Sequence, residues 1–541
     1  MEKVCSRSLW LADSADANPV ELALGDLIHH AALKHPDREA VVYACHTTVE
    51  NTRWTYQQLD NKAEKLARTL LSEGYLPGEK IAIWAPNNPE WILLEYALAK
   101  AGLIIVALNP LYKKAELKYS LQASDVSAIF HADQVSGYSL RSMIDAIKDE
   151  VVSLRGIYSL DQDIPQLLLK NTSDVTLPRV DPDSCLMIQY TSGTTGNPKA
   201  AQLSHRGVAT TARNSYLAWS FKENDRICHG FPLFHVGGSG NSTPGSALIG
   251  ATTLPLYVFK AELTLDILEQ EQCTGFIGVP SMLTAMMEHH SFQQRDFSSL
   301  KYIVIGGACV SSQLIKQCEQ AFGVDIINGY GQTETSGVSA STVCDDSAAV
   351  KSSTSGKPLP GVSFKIINSK GEILPCNQTG ELCYRGPGTM LGYRNHPQPA
   401  NVFDNEGWLY SGDLASMTES GYIRIVGRAK EMIIRGGENL SPSEIENFLN
   451  LHPDIAEAAV LGLPDPKYGE EVCAVLLPNH SNHASAESIR TWCQENLSRW
   501  KVPRYITFLD QFPKTASGKV QKYRLKEDML KHFDLITETA D

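Results

Sequence analysis

Residues 80–108 read KIAIWAPNNPEWILLEYALAKAGLIIVAL, and the fold class turns on them. A short apolar run at 80–85 is followed by a helical pattern over 89–102 and a second apolar run at 103–108. This strand, helix, strand succession suits a parallel sheet. Upstream, Leu59, Ala63, Leu66 and Leu70 recur at three- and four-residue spacing and Gly74 follows, predicting an amphipathic helix that stops there. Downstream, the apolar stretches at 276–280, 302–307 and 326–331 each end in glycine or a turn residue, so the expected architecture is α/β with layered sheets. After about residue 360 the texture changes to short β-like pieces between Gly and Pro turns, at 381–388, 407–413 and 421–428, predicting a smaller β-rich subdomain. Residues 427–446, GRAKEMIIRGGENLSPSEIE, lead through two glycines to a new helix capped by Ser441 with Glu444 three residues on, and they mark a domain boundary. The remaining hundred or so residues alternate helix (443–450, 487–497) and strand (458–464, 472–478), as expected of a compact α+β C-terminal domain.

A chain of 541 residues has the length of about three to four domains. With 43% hydrophobic and 20% charged residues, neither disorder nor a fibrous repeat fits. The 61 acidic residues outnumber 48 basic ones, and the net charge of −13 argues against a nucleic-acid partner. Twelve cysteines are scattered without a CxxC pair, as expected of reduced thiols in a cytoplasmic protein. The start has acidic residues by position 13 and no long apolar stretch, which fits neither a secretory signal nor a transit peptide. The apolar runs fall far short of the roughly 20 residues that span a bilayer. The final Thr-Ala-Asp offers no peroxisomal or prenylation address.

The densest chemical signal is 190–201, YTSGTTGNPKAA. Thr191, Ser192, Thr194 and Thr195 supply hydroxyls, Gly193 and Gly196 turn backbone N–H groups outward, and Lys199 adds a cation, a set able to wrap a polyphosphate. It is not a Walker A box: the GxxxxGK[ST] order is absent, and Gly518-Lys519 is followed by valine.

That stretch strongly resembles the phosphate loop of the adenylate-forming superfamily, which contains acyl-CoA synthetases, nonribosomal adenylation domains and beetle luciferases. The segments FPLFHVGG (231–238), NGYGQTET (328–335), GKPLPG (356–361), YSGDLA (410–415), 427–446 and PKTASGKVQK (513–522) agree in order and spacing, so the resemblance covers roughly residues 20 to 530. Within the superfamily the chain is most similar to medium-chain fatty acyl-CoA synthetases, through 433–446, YGEEVCAV (468–475) and 500–519. The resemblance implies that a carboxylate attacks the α-phosphate of ATP, releasing pyrophosphate, and that coenzyme A then displaces AMP from the acyl-adenylate. Mg²⁺ is implied with ATP, because such polyphosphate chemistry accumulates negative charge.

Carried over position by position, the resemblance puts Thr191, Ser192, Gly193, Thr194, Thr195 and Lys199 around the β- and γ-phosphates. Alanines at 200 and 201 stand where many members have glycine after the lysine, which implies a slightly different loop geometry. In Asn328-Gly329-Tyr330-Gly331, Tyr330 would pack on adenine; Thr333 would bond the α-phosphate; Glu334, with Thr191, would hold Mg²⁺. Asp413 would accept from both ribose hydroxyls, with Arg428 assisting. Gly307, Ala308 and Cys309 would face adenine and the acyl pocket, a plain strand-to-helix turn being the competing reading. Lys519 would neutralise charge where carboxylate meets α-phosphate. Lys430 matches the hinge, dividing the chain into an N-terminal AMP-binding domain (1–429) and a small mobile C-terminal domain (430–541). After rotation of the latter, Gly436, Gly437 and Glu438 would face the pantetheine channel. His235 aligns with a gate beside the carboxylate, with a core histidine as the alternative.

Gly237, Gly238, Gly240, Ser242 and Gly245 are small residues expected to flank the acyl pocket and to leave room for a hydrocarbon chain. The expected substrate is a medium- to long-chain fatty acid. The main alternatives are an aryl-CoA ligase for coumarate-like acids and an enzyme that loads an acyl-carrier protein. Amino-acid activation fits less well, because Phe234 is followed by His235 where such domains usually carry an aspartate. A scaffold protein on this fold would be expected to lose Lys519, Glu334 or Asp413, and all three are retained. The sequence leaves monomer and homodimer open.

Overall fold

The computed structural model describes residues 5–13, 18–44, 51–135, 137–191, 198–307, 312–394, 402–428, 431–435, 438–479, 485–515 and 519–535. Its contacts divide the chain into two compact units: one of Trp10–Phe364 with Tyr384–Tyr410, the other of Met1–Leu9, Lys365–Cys383 and Ser411–Asp541.

In the larger unit, the two apolar runs that flank the 89–102 pattern pair as parallel strands, Lys80–Trp84 against Ile104–Leu108, with Lys80 opposite Ile104. Between them runs the helix Pro89–Ala101, with Asn88 capping its first turn and Gly102 ending it at φ 68°. It is buried on every side, including Glu95 and Lys100, as befits a helix held between layers rather than a surface helix with one wet face. The strands belong to a seven-stranded sheet ordered Gly392–Tyr393, Lys199–Ser204, Cys185–Thr191, Ile104–Leu108, Lys80–Trp84, Val126–His131 and Gly156–Ser159. A nine-stranded sheet holds Gly275–Gly278, Tyr302–Gly306 and Asp325–Gln332 as parallel neighbours, confirming that those three apolar stretches are strands of one α/β layer.

The helix predicted upstream spans Tyr56–Ser72, buries Leu59, Ala63, Leu66 and Leu70, and is followed by Gly74 at φ 87°. A reciprocal box between Thr55 and Gln58 caps its start. On one face of the nine-stranded sheet Cys228, Phe276 and Ile303 pack against Leu265, Ile315 and Phe322. The opposite cluster gathers Ile277, Val304 and Ile327 with Tyr216 and Trp219.

The β-like texture after residue 360 forms a five-stranded sheet in the order Leu9–Trp10, Ser363–Ile367, Gly380–Arg385, Leu409–Met417 and Ile423–Arg428. Near the C-terminus, Glu438–Leu440, Ile433–Arg435, Gly469–Pro478 and Ile455–Asp465 form a second sheet, with Tyr505–Phe508 parallel to Gly469–Pro478. The helices Pro442–Leu449 and Ala486–Asn496 bury Ile445, Leu449, Ile489 and Cys493 against it. Ser441 does stand at the start of the first of these helices, but its hydroxyl donates to the Val426 carbonyl at 2.6 Å instead of capping the helix, so the expected capping box is absent. Among the described residues no helix is long and apolar enough to cross a membrane.

Candidate active site

The phosphate-loop signature is framed by two antiparallel strands. Thr191 ends Cys185–Thr191, and Lys199, its register partner, begins Lys199–Ser204. Ser192, Gly193, Thr194 and Thr195, between them, lie outside the described residues. Just before the loop, the Tyr190 hydroxyl bonds the Ser120 carbonyl at 2.8 Å and the Ser124 hydroxyl at 2.7 Å, tying the strand end to the helix Lys114–Ala123 and its C-cap. Ala200 and Ala201 continue the second strand opposite Tyr190 and Gln189, buried and extended. No left-handed backbone is needed there, so replacing glycine by alanine leaves this part of the hairpin undisturbed.

The 328–335 motif sits where Asp325–Gln332 turns out of the sheet, at the carboxyl end where α/β sheets bind ligands. Asn328 donates through its side chain to the Thr354 carbonyl at 3.1 Å, and its backbone N–H donates to the Thr342 hydroxyl at 2.8 Å. Gly331 lies at a register shift against Gly337–Ser341, and a Cβ there would meet the Gly337 carbonyl at 1.9 Å, so only glycine fits. Half-buried Gly329 and Tyr330 precede it in the same strand. The strand passes into a single 3₁₀ turn, Thr333–Thr335, with Thr333 buried and Ser336 left-handed at φ 55°. Glu334, in this turn, receives a 2.7 Å hydrogen bond from the Tyr393 hydroxyl on Oε1. At the carboxyl end of the neighbouring strand Tyr302–Gly306, Gly307 takes φ 78°; Ala308 and Cys309 lie outside the described residues.

His235 is half-buried in the turn 232–238, where its Nδ1 accepts a long 3.4 Å bond from the Gly237 N–H. The small residues after it do not leave open volume. A Cβ on Gly237 would meet the Phe231 ring at 2.9 Å, on Gly238 the Pro232 carbonyl at 2.3 Å, on Gly240 Val236 at 2.6 Å and on Gly245 the Tyr216 ring at 2.3 Å. Their smallness serves close packing around the π-helical turn Gly238–Ser242, a correction to the expectation that it makes room for a hydrocarbon chain. Six residues before His235 lies a histidine that sequence reasoning passed over. His229 is fully buried, and burial pushes its imidazole down to about 4, a backbone hydrogen bond at Phe231 offsetting only part of the shift.

In the other unit, Asp413 and Arg428 are register partners on adjacent strands, and the Arg428 Nε lies 3.1 Å from Asp413 Oδ1. Asp413 is buried, and its backbone N–H donates to the Ser411 hydroxyl at 3.1 Å. Burial raises the nearby Glu381 carboxyl, and the Asp413 charge adds to it. Lys519 is exposed, and its carbonyl accepts from the Thr515 N–H at 2.7 Å. Lys430, Gly436 and Gly437 lie outside the described residues; Glu438 begins a short strand opposite Arg435, and its side chain is not described. Arg435 pairs with buried Glu471 at 2.7 Å and donates to the Trp500 carbonyl at 2.6 Å, a tie that sequence reasoning did not single out.

Among the described residues no group of three or more His, Cys, Asp or Glu side chains could hold a metal ion by itself. A lone carboxylate such as Glu334 suits Mg²⁺, which is ordinarily held by one or two carboxylates and by substrate phosphates.

The model of AMP-binding enzymes matches residues 28–394 and that of the AMP-binding enzyme C-terminal domain matches residues 444–519. The chain belongs to the AMP-binding enzyme family, the adenylate-forming ligases, and is an AMP-forming acid–CoA ligase that works through an acyl-adenylate with ATP, Mg²⁺ and coenzyme A. It is 34% identical to YngI of Bacillus subtilis (strain 168), over 96% of this chain and 99% of that protein. To the mitochondrial medium-chain acyl-CoA ligase ACSF2 of Bos taurus it is 33% identical, over 95% of this chain and 88% of that one. Among solved structures it resembles ATP-bound MatB from Rhodopseudomonas palustris, with TM-score 0.86, 25% identity and coverage of 95% of this chain and 100% of that one. It also resembles the o-succinylbenzoate CoA synthetase MenE of Bacillus subtilis in complex with its acyl-adenylate, with TM-score 0.81, 27% identity and coverage of 92% and 97%.

Proposed function

We propose that this ligase activates a medium- to long-chain fatty acid and forms its CoA thioester. The observation that carries the reading is 33% identity to a medium-chain acyl-CoA ligase along 95% of the chain. In the first half-reaction Thr191, Lys199, the hydroxyls of Ser192, Thr194 and Thr195 and the backbone N–H of Gly193 bind the β- and γ-phosphates. Tyr330 and Gly307–Cys309 face the adenine, and Asp413 with Arg428 holds the ribose. Glu334 and Thr191 are the protein's oxygen ligands for Mg²⁺, which supplies charge neutralisation on the phosphates when bound. Thr333 bonds the α-phosphate, and the Lys519 ammonium neutralises the incoming carboxylate and the α-phosphate together, so two anions can approach. His235 orients the carboxylate. The C-terminal domain, 430–541, then turns about Lys430, presenting Gly436, Gly437 and Glu438 to the pantetheine arm for thiolate attack.

Likeness to the o-succinylbenzoate enzyme favours a second reading, an aryl acid such as coumarate, and the close packing at Gly237–Gly245 removes one argument for a long chain. Release of pyrophosphate and AMP, measured with acids from acetate to palmitate plus benzoate and coumarate, each with and without CoA, separates the two. A chain-length optimum at or above octanoate with CoA-dependent AMP release is expected; preference for acetate, benzoate or coumarate overturns the fatty-acid reading. Pyrophosphate release that ignores CoA points to a carrier-protein acceptor. A cytoplasmic location is also proposed, supported by ten cysteines that form no disulfide among the described residues. Mitochondrial fluorescence of a full-length tagged chain would contradict it.

A further inference from the structure

The geometry points to Tyr393 as a positioning residue that locks the magnesium-binding carboxylate and the phosphate-loop lysine into one frame. This rests on the roles proposed above for Glu334 and Lys199. Tyr393 lies in the two-residue edge strand Gly392–Tyr393, which pairs antiparallel with Lys199–Ser204 so that Tyr393 stands opposite Ala201. Two backbone bonds flank it, Leu391 N–H to the Gln202 carbonyl at 2.8 Å and Arg394 N–H to the Ala200 carbonyl at 2.9 Å, which fixes its height beside the start of that strand. From there its side chain makes two contacts of different kinds. The hydroxyl donates to Glu334 Oε1 at 2.7 Å, and the ring lies beneath the Lys199 ammonium, 5.0 Å from Nζ to the ring centroid. The backbone closes the same link, because the Met390 N–H donates to the Glu334 carbonyl at 3.0 Å.

One aromatic side chain thus bridges two segments that share no strand pairing, the 3₁₀ turn Thr333–Thr335 and the strand Lys199–Ser204. A carboxylate on a single 3₁₀ turn can rotate; a hydrogen bond to one of its oxygens fixes its plane before any cation arrives. A cation–π contact in turn limits where a flexible lysine carries its charge. The consequence is preorganisation: the entropy of ordering both charges is met during folding rather than on nucleotide binding.

Tyr393→Phe and Tyr393→Leu take the two contacts apart. Phenylalanine keeps the ring under Lys199 and the backbone pairing and loses only the bond to Glu334; leucine loses both. Mn²⁺ binding in the presence of a non-hydrolysable ATP analogue, followed by electron paramagnetic resonance, reads the metal site without turnover. The Mg²⁺ concentration for half-maximal ATP–pyrophosphate exchange reads it in the first half-reaction. Loss of a hydrogen bond to a charged acceptor predicts Mn²⁺ affinity about tenfold weaker in Tyr393→Phe. The Mg²⁺ requirement should rise in step while the KM for the acid stays unchanged, and Tyr393→Leu should add a rise in the KM for ATP. Glu334→Gln is the reference. If it loses Mn²⁺ binding while Tyr393→Phe binds as the wild type does, the inference fails and the role of Glu334 stands. If Glu334→Gln itself binds Mn²⁺ normally, the metal role of Glu334 fails and this inference fails with it.

Discussion

Two residues assigned to the reaction show how a single residue's requirements become chemical ones. Gly331 allows the strand Asp325–Gln332 to press against the Gly337 carbonyl, where a methyl group would sit at 1.9 Å. Gly331→Ala must therefore force the strands apart. A cost of about 3 kcal/mol or more is expected, at the upper end for overpacking, and with it displacement of Thr333 and Glu334 two and three residues on. Denaturant unfolding and ATP–pyrophosphate exchange should fall together in this variant. Asp413 works differently. Its carboxylate is buried beside Arg428, and if it accepts from both ribose hydroxyls, Asp413→Ala should raise the KM for ATP on the order of 100-fold, taking roughly 1.5 kcal/mol for each charge-assisted bond. Stability should change far less, and steady-state kinetics beside thermal unfolding would separate the two effects. Both residues stand in motifs that resemble those of the adenylate-forming superfamily, which is why the sequence pointed to them. Tyr393 did not announce itself. It lies in a Gly- and Pro-rich stretch whose local pattern signals turns, and its bond to Glu334 spans 59 positions, a relation that no local pattern encodes.

Element by element, legibility followed periodicity. The helix Tyr56–Ser72 and the parallel strands around Pro89–Ala101 were predictable because their apolar residues recur at the spacing of the element they form. What spacing could not show was that Pro89–Ala101 is enclosed on all sides, so that a glutamate on it has no water. Glu95 is fully buried with the Thr243 hydroxyl as its partner, at 2.8 and 3.1 Å. Burial raises its carboxyl well above the ordinary value, with the Thr243 bond offsetting only part. The folded chain therefore keeps Glu95 protonated where the unfolded chain ionises near 4.5, and folding takes up a proton. Stability from this group is complete below that value and declines as pH rises. Glu95→Gln, isosteric and uncharged, should match the wild type at pH 4 and exceed it at pH 8, which a pH series of thermal midpoints would read. Equal midpoints at both pH values would mean that Glu95 is ionised in the fold. The stripe Gly237–Gly245 teaches the reverse lesson. Small residues suggested space, but the structure fills each place with Phe231, Pro232, Val236 or Tyr216, because smallness records close approach as readily as vacancy.

At the scale of the whole molecule, the groups assigned to one reaction are shared between two compact units. Thr191, Lys199, His235, Gly307, Thr333 and Glu334 belong to one, and Asp413, Arg428 and Lys519 to the other. Two buried histidines of the first bear on the acid side of the stability profile. His205 accepts the Leu24 N–H on Nδ1 at 3.2 Å, and burial pushes it, like His229, down to about 4. Both are neutral in the fold and charge near 6.5 when unfolded, so their contribution is present above that pH and is lost as pH falls toward 4, on the order of 3 kcal/mol for each. Urea midpoints should drop steeply between pH 6.5 and 4.5, and His205→Gln should lessen the drop. The roles proposed for Lys519 and Lys430 make a sharper demand on catalysis. If Lys519 serves only the first half-reaction, Lys519→Ala should abolish pyrophosphate release yet still convert a synthetic acyl-adenylate and CoA into thioester. If the C-terminal domain must turn about Lys430 to admit CoA, Lys430→Pro, whose ring fixes φ near −65°, should do the opposite, retaining pyrophosphate release and losing thioester formation from the same adenylate. The two variants assayed side by side form a crossed pair that no general loss of folding can imitate, since unfolding removes both activities from both proteins. Retention of both activities in Lys430→Pro would mean that one arrangement of the domains serves both steps and the hinge is only a linker, and equal loss of both in a variant whose thermal unfolding matches the wild type would also count against the hinge.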